Sequence, residues 1–337
     1  MLNKINVGII GKKFGYNVIY KSFLKNKNLK IKAFCYRSKK PEELKISKSI
    51  KIYSNWKKLI LDKEIQAIVI ATPPTLHKKI IQFAIKKNKH IFCEKPFTPS
   101  YKDANVICKL MKKNKNLSLM VNYEFGEIDA FSFFKKKLAK NIKIDKIKLN
   151  WFINIKNRST KNWKESHVRG GGIIHNYVCH AIYYLEFLFG KIKGIKTNIL
   201  IGTKRKTLKG KLYFKNGMVA QLNIEVGDIL KKKPIHQLKI LTRKKTYVLE
   251  TQLNSLSDKF KLLSFNNNSN KLIKTLFKNK KNKDDFRIGP TFNNSKKFSK
   301  WILKNKIQKP NFLNAQRIHL ITNKMFISSK KKKIEYV

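Results

Sequence analysis

His90-Ile91-Phe92-Cys93-Glu94-Lys95-Pro96-Phe97 sets a short apolar run between a basic segment and a proline. Such a run reads as a buried strand that delivers a charged pair at its C-terminal end. Open α/β sheets keep their chemistry at those ends. Pro96 fixes its own φ and restricts Lys95 to extended backbone, which holds the ammonium in one place, as proton donation requires. The alternative is a strand followed by a turn with a solvated Lys, and the flanking sequence decides between the two.

From Ile5 to Asn122, apolar runs alternate with amphipathic basic stretches, the βαβ rhythm of a parallel sheet. Strands are predicted at Ile5 to Ile10, Leu29 to Tyr36, Ala67 to Ala71, His90 to Cys93 and Leu117 to Val121. Helices fit between them at Tyr16 to Lys25, Trp56 to Leu61, Leu76 to Lys87 and Tyr101 to Lys113. From Ile144 the strands are longer and alternate: Ile147 to Ile155, Lys211 to Phe214, Ala220 to Glu225 and Gln237 to Leu241. Lys215-Asn216-Gly217 is a hairpin turn signal, and a helix from His175 to Phe189 stops at Gly190. Leu253 to Asn294 is rich in Asn and Lys without a clear period and is expected to be loop or lid. A last amphipathic helix is expected from Ala315 to Ser329. The class is therefore α/β: a doubly wound parallel sheet over residues 1–122, then an α+β domain with a mainly antiparallel open sheet over 123–337. The last helix is expected to pack back on the first domain.

The net charge of +58 attracts phosphate backbones. Only seven of the 77 basic residues are Arg, however, and the Lys are spread along the whole chain. An AT-rich genome gives that pattern, since its codons encode Lys, Asn, Ile and Phe, so no specific nucleic-acid partner is expected. The longest apolar run, Ala181 to Phe189, is too short to cross a bilayer, so no membrane partner is expected either. The N-terminus leads straight into a strand, from which a cytoplasmic location is expected. Cys35, Cys93, Cys108 and Cys179 lack paired spacing and read as reduced, buried thiols.

Gly8-Ile9-Ile10-Gly11-Lys12-Lys13-Phe14-Gly15 closes the first strand and opens the first helix, where a dinucleotide pyrophosphate meets helix N-terminal amides. Gly11 suits the tight turn and Gly15 close packing, but the middle glycine is replaced by Lys13. Either Lys13 tolerates the backbone conformation and adds charge to the phosphate contact, or the site binds weakly or not at all. After the second strand, Tyr36-Arg37-Ser38-Lys39-Lys40 offers no acid for ribose hydroxyls. Arg37, Ser38 and the lysines suit a 2′-phosphate, which favours NADP(H) over NAD(H). Ala71-Thr72-Pro73-Pro74-Thr75-Leu76-His77 ends another strand, with Thr75 as the expected helix cap and Thr72-Pro73 as a ledge under the nicotinamide or simply a rigid turn.

Arg169-Gly170-Gly171-Gly172 lets the backbone approach a ligand or another segment, and the helix behind it sets Asn176 and His180 four apart on one face. His175 and His180 are five apart and diverge, so a zinc site with Cys179 is not expected; no metal is assigned.

These motifs, in this order and spacing, resemble the Gfo/Idh/MocA family of oxidoreductases, with Glu94-Lys95-Pro96 as the most specific mark. The resemblance covers nearly the whole chain. It implies a Rossmann domain followed by an α/β domain whose open sheet builds homo-oligomers. It also implies NAD(P)-dependent oxidation or reduction of sugars and related hydroxyl compounds. Lys95 and His180 fall on the family's catalytic Lys and His. Gly11, Lys13, Phe14, Gly15, Arg37, Ser38, Thr72, Pro73, His77, Glu94 and Lys95 fall around the cofactor. Tyr123, Trp163, Arg169, Asn176, Tyr177 and His180 fall around a sugar-like substrate. Asn176 stands where many members have Asp, and Val178 where Gly is common, which implies an altered pocket. The rival expectation is a family-derived binding or regulatory protein that has lost the chemistry.

Overall fold

Every residue of β1 (Ile5–Ile10) except Asn6 is buried, as a parallel strand covered on both faces requires. It pairs in parallel with β2 (Leu29–Cys35), which in turn pairs with β3 (Lys51–Tyr53). On its other side lie β4 (Ala67–Ile70), β5 (His90–Cys93) and β6 (Leu119–Val121), all parallel. The order β3-β2-β1-β4-β5-β6 is the doubly wound arrangement that the alternating rhythm predicted. Only β3 lacked a sequence signal, because its three residues are mostly exposed and show no apolar run. The computed structural model describes residues 4–36, 44–138, 142–155, 163–228, 233–252, 259–278 and 285–337.

The first helix starts earlier than predicted, at Lys13, and runs through a π-helical segment Gly15–Tyr20 into α1 (Lys21–Leu24). α2 (Trp56–Leu61) is capped by Asn55, whose side chain accepts from Lys57 N. α3 (Pro74–Lys86) begins directly after Pro73 with no side-chain cap, so Thr75 lies inside the helix and does not cap it. α4 (Tyr101–Lys113) is capped by Ser100, which accepts from Asp103 N while its hydroxyl donates to the Asp103 carboxylate. A backbone donor and a neighbouring side chain are thereby satisfied together.

Two compact units emerge. The first comprises residues 1–124, His167–Gly171 and Arg287–His319; the second comprises Phe125–Ser166, Gly172–Phe286 and Leu320–Val337. The second holds α5 (Asp129–Leu138), β7 (Lys146–Asn154) and a π-helical turn Ile174–Val178 that runs into α6 (Cys179–Phe189). These are followed by β8 (Ile192–Ile201), β9 (Arg205–Phe214), β10 (Val219–Gly227), β11 (Ile235–Leu241), β12 (Lys245–Thr251), β13 (Lys261–Asn266) and β14 (Leu272–Lys278). After α7 (Ile288–Lys304) and α8 (Phe312–Lys331), β15 (Glu335–Tyr336) completes a sheet ordered β14-β13-β12-β11-β7-β10-β9-β8-β15. Only β7 and β10 pair in parallel, so the sheet is mainly antiparallel, as predicted. Gly190 ends α6 at φ 96° and Gly217 turns the β9–β10 hairpin at φ 87°.

The expected loop or lid at Leu253 to Asn294 is corrected over its described residues, which form the β13–β14 hairpin and the start of α7. β14 is mostly exposed, so main-chain pairing holds it without apolar alternation, and no period is legible there. Among the described residues, no helix is long and apolar enough to cross a membrane.

Candidate functional site

The strand order reverses between β1 and β4, where an open α/β sheet leaves a crevice at its C-terminal edge. Gly11 ends β1 at φ +125°, and a Cβ there would lie too close to the Ala71 carbonyl oxygen for any side chain to fit. Its N–H donates to Cys35 O at 2.9 Å, while Ala71 N donates to Ile10 O at 2.8 Å. The turns after β1 and β4 are thus pressed together at the crevice.

Lys13 takes up its backbone conformation without strain. It sits in the first helical turn with an exposed side chain and is not among the non-glycine residues with positive φ. The position therefore makes no demand for glycine in this chain. Beside it, Phe14 carries the Arg287 guanidinium over its ring at 5.1 Å, and the Lys12 ammonium lies 5.9 Å from the Tyr36 ring centroid. A Cβ on Gly15 would meet Ile9 Cγ2 at 3.4 Å and Ala71 Cβ at 3.5 Å, so this glycine serves close packing. Arg37 and Ser38 lie outside the described residues.

Thr72 places a buried hydroxyl oxygen at the end of β4 with no hydrogen-bond partner, and Pro73 beside it is exposed. His77 is fully buried and faces inward: Nε2 lies 2.9 Å from Thr72 O, Nδ1 3.2 Å from Phe97 O and 3.3 Å from Cys93 Sγ. Burial pushes its pKa down. A neutral imidazole has one N–H for those two carbonyls. The ring N–H donates to one of them, and the ring spans the distance between both. His77 therefore ties the Thr72 turn to the loop that carries Lys95.

Glu94 is buried at the end of β5, its carboxylate accepting from Asn122 Nδ2 at 2.6 Å. The same amide nitrogen reaches Thr291 Oγ1 at 3.1 Å, and Asn122 Oδ1 accepts from Asn294 Nδ2 at 2.9 Å. Burial and then the charge of Glu124 push the Glu94 carboxyl up to about 8, against the opposing pull of Asn122, Lys95 and Arg287. Lys95 is half-buried beside it, and Tyr123 is fully buried. Arg169 is exposed on the His167–Gly171 segment of this unit.

In the second unit, His180 is the second residue of α6 and is buried against Phe125, with ring centroids 4.6 Å apart. Phe125 also meets Trp151 at 5.7 Å and His236 at 5.5 Å. Trp151 stacks on His236 at 4.0 Å, and His236 Nε2 lies 2.9 Å from the Tyr184 hydroxyl. Burial pushes the His236 imidazole down to about 3, so it stays neutral. Tyr177 stands edge-on to Trp151 at 5.7 Å. Asn176 lies in the π-helical turn that runs into α6, and its amide donates to Lys164 O at 2.6 Å. Trp163 is half-buried in the short turn Trp163–Glu165.

Sequence reasoning missed Asn122, Glu124, Thr291, Asn294 and Arg287 in the first unit and Phe125, Trp151, Tyr184 and His236 in the second. The partners of Asn122 on α7 lie 169 and 172 positions away, a separation that no local pattern reveals.

Residues 5–123 match the family model GFO_IDH_MocA, described as an oxidoreductase family with an NAD-binding Rossmann fold. That stretch carries the NAD-binding Rossmann fold of the Gfo/Idh/MocA oxidoreductases. An uncharacterized oxidoreductase of Synechocystis sp. is 26% identical over 203 residues, covering 58% of this chain and 54% of that protein. The chain spans about half or less of the length of the curated relatives it matches. The structure of levoglucosan dehydrogenase in complex with NADH shares the fold, with a TM-score of 0.81, 17% identity and 99% of each chain covered. A putative NADPH-dependent oxidoreductase from Desulfitobacterium hafniense gives a TM-score of 0.82 at 16% identity, covering 99% of this chain and 98% of that one.

The first unit fits a dinucleotide on its own geometry. Gly11 leaves its turn without a Cβ, the amides of a helix N-terminus follow at once, and the orphaned Thr72 hydroxyl sits at the neighbouring strand end.

Proposed function

We propose that the chain transfers a hydride between a nicotinamide cofactor and a secondary alcohol or ketone carbon of a sugar or sugar derivative, with NADP(H) favoured over NAD(H). The observation that carries the reading is the Gly11 turn closed against Ala71 at the strand-order reversal, with Lys95 at the end of β5 in the same unit. The fold shared with levoglucosan dehydrogenase supports the sugar-like substrate class. The absence of an acid in Tyr36 to Lys40 supports NADP(H).

When bound, the cofactor supplies the hydride acceptor or donor. In the oxidation direction the substrate hydroxyl loses its proton to His180 as the C–H hydride departs, leaving a carbonyl. Lys95 donates a hydrogen bond to the reacting oxygen and stabilises the negative charge that develops on it. In reduction His180 returns the proton. Trp163, Arg169, Asn176, Tyr177 and Tyr123 are the proposed substrate contacts.

Lys95→Ala and His180→Ala should each lower turnover by on the order of 10²- to 10⁴-fold while NADPH binding is retained. Full activity in either variant would remove that residue from the reaction. A second reading, a binding protein that has lost the chemistry, is favoured by one observation: the Asn176 amide is committed to Lys164 O and brings no carboxylate. Nicotinamide fluorescence titrations with NADPH and NADH come first, since binding of neither excludes the enzyme.

A further inference from the structure

α7 and the helix that follows Gly11 run in the same direction. Ser22 Oγ donates to Ile288 O at 3.0 Å, and further along Asn26 Nδ2 reaches Ser295 Oγ at 3.1 Å and Ser299 Oγ at 3.3 Å. The start of α7 thus lies beside the last turn of that helix, and one turn on, Thr291 Oγ1 accepts from Asn122 Nδ2 at 3.1 Å at the end of β6. Arg287 immediately precedes α7. Its guanidinium carbon is 5.1 Å from the centroid of Phe14, the ring between Lys13 and Gly15 in the phosphate turn. Its charge also favours the ionised form of the Glu94 carboxyl. The cation thus lies over the first helical turn after β1, beside the edge where the strand order reverses. An Arg stacked on an aromatic face has its planar fork pre-set, and that fork matches phosphate oxygens.

We propose that Arg287 is a dinucleotide-binding residue whose guanidinium, held over Phe14, takes the pyrophosphate oxygens of the cofactor. The assignment rests on the dinucleotide reading given above. It adds a cation from a helix far outside residues 5–123, the stretch that matches the family model. It also explains how a turn without the middle glycine holds its ligand: the charge comes from α7 rather than from closer approach of the backbone at Lys13.

The full-length protein is titrated with NADPH, NADH and ADP-ribose, which has the pyrophosphate but no nicotinamide. Arg287→Met should weaken NADPH and ADP-ribose alike, by about 10- to 100-fold, with an unchanged circular dichroism spectrum. Arg287→Lys should fall between the two, since it keeps the charge and loses the fork. Phe14→Leu, which leaves the guanidinium in place but removes its platform, should cost about 3- to 10-fold. Loss of NADPH binding with ADP-ribose unaffected would place Arg287 at the nicotinamide end and overturn the assignment. Unchanged affinity for both ligands in Arg287→Met would overturn it as well, while the dinucleotide reading stands. If the unmodified protein binds none of the three, both fall together.

Discussion

Single residues carry the first unit's site, and they differ in what they tolerate. Gly11 tolerates nothing: its positive φ and the Ala71 carbonyl leave no room for a methyl group. Gly11→Ala should destabilise the protein by roughly 2–4 kcal/mol, the strain of the backbone adding to the overlap, as read by chemical denaturation. It should also abolish NADPH binding in a fluorescence titration. Lys13, by contrast, stands where the usual pattern has glycine, yet its backbone is ordinary helix. The glycine rule was written for a backbone that must approach a phosphate, and the backbone at Lys13 makes no demand for positive φ. His77 shows a third case. Its place in the motif was legible, but its direction was not, because an imidazole's partners are chosen by the carbonyls packed around it.

At the scale of elements, the end of β5 depends on α7. Glu94, Asn122, Thr291 and Asn294 form one buried hydrogen-bonded chain across β5, the end of β6 and α7. Near neutrality the Glu94 carboxyl holds its proton in the folded protein and is ionised in the unfolded chain, because its pKa is raised from 4.5 to about 8. The folded state thus binds more protons between those values. This contribution is present in full below about pH 4.5 and is lost as the pH rises toward 8, at no more than about 1.4 kcal/mol per pH unit. Glu94→Gln keeps a hydrogen-bonding side chain and removes the titration. Its melting temperature should gain on the parent's as the pH is raised from 5 to 9, and parallel curves would contradict the assignment. Strand β5 itself was predicted to the residue, since a buried apolar run between a basic segment and a proline has only one reading. The π-helical turns at Gly15–Tyr20 and Ile174–Val178 were not, because the extra residue in each is accommodated by packing rather than by any change in the apolar period.

At the scale of the whole molecule, each unit encloses its own buried polar centre, and the second adds a pH dependence of opposite sign. His236 is fully buried, stacked on Trp151 and bonded to Tyr184, and burial lowers its pKa from 6.5 to about 3. The unfolded chain takes up a proton there that the folded chain refuses. Stability from this group is present in full above about pH 6.5 and is lost as the pH falls toward 3, again at no more than about 1.4 kcal/mol per pH unit. His236→Phe keeps a ring against Trp151 and cannot titrate. Its denaturant midpoint should change less than the parent's between pH 7 and pH 4, and an equal slope would show that another group governs acid unfolding.

The sequence by itself determined the parallel sheet, the positions of its strands other than β3, the mainly antiparallel second sheet and the likeness of residues 5–123 to an oxidoreductase family, because burial on both strand faces and glycine-bearing turns are written locally. It also named Gly11, Lys95 and His180 in their elements. Only the tertiary structure decided that Lys13 is ordinary helix, that His77 faces inward, that the polar stretch after Leu253 pairs as an edge hairpin, and that Arg287 and Asn294 reach the end of the first sheet. The places of Arg287 and Asn294 depend on contacts between segments more than a hundred residues apart, the edge hairpin on main-chain pairing to which side-chain pattern is blind, and the Lys13 and His77 outcomes on how the packed turns set backbone and ring.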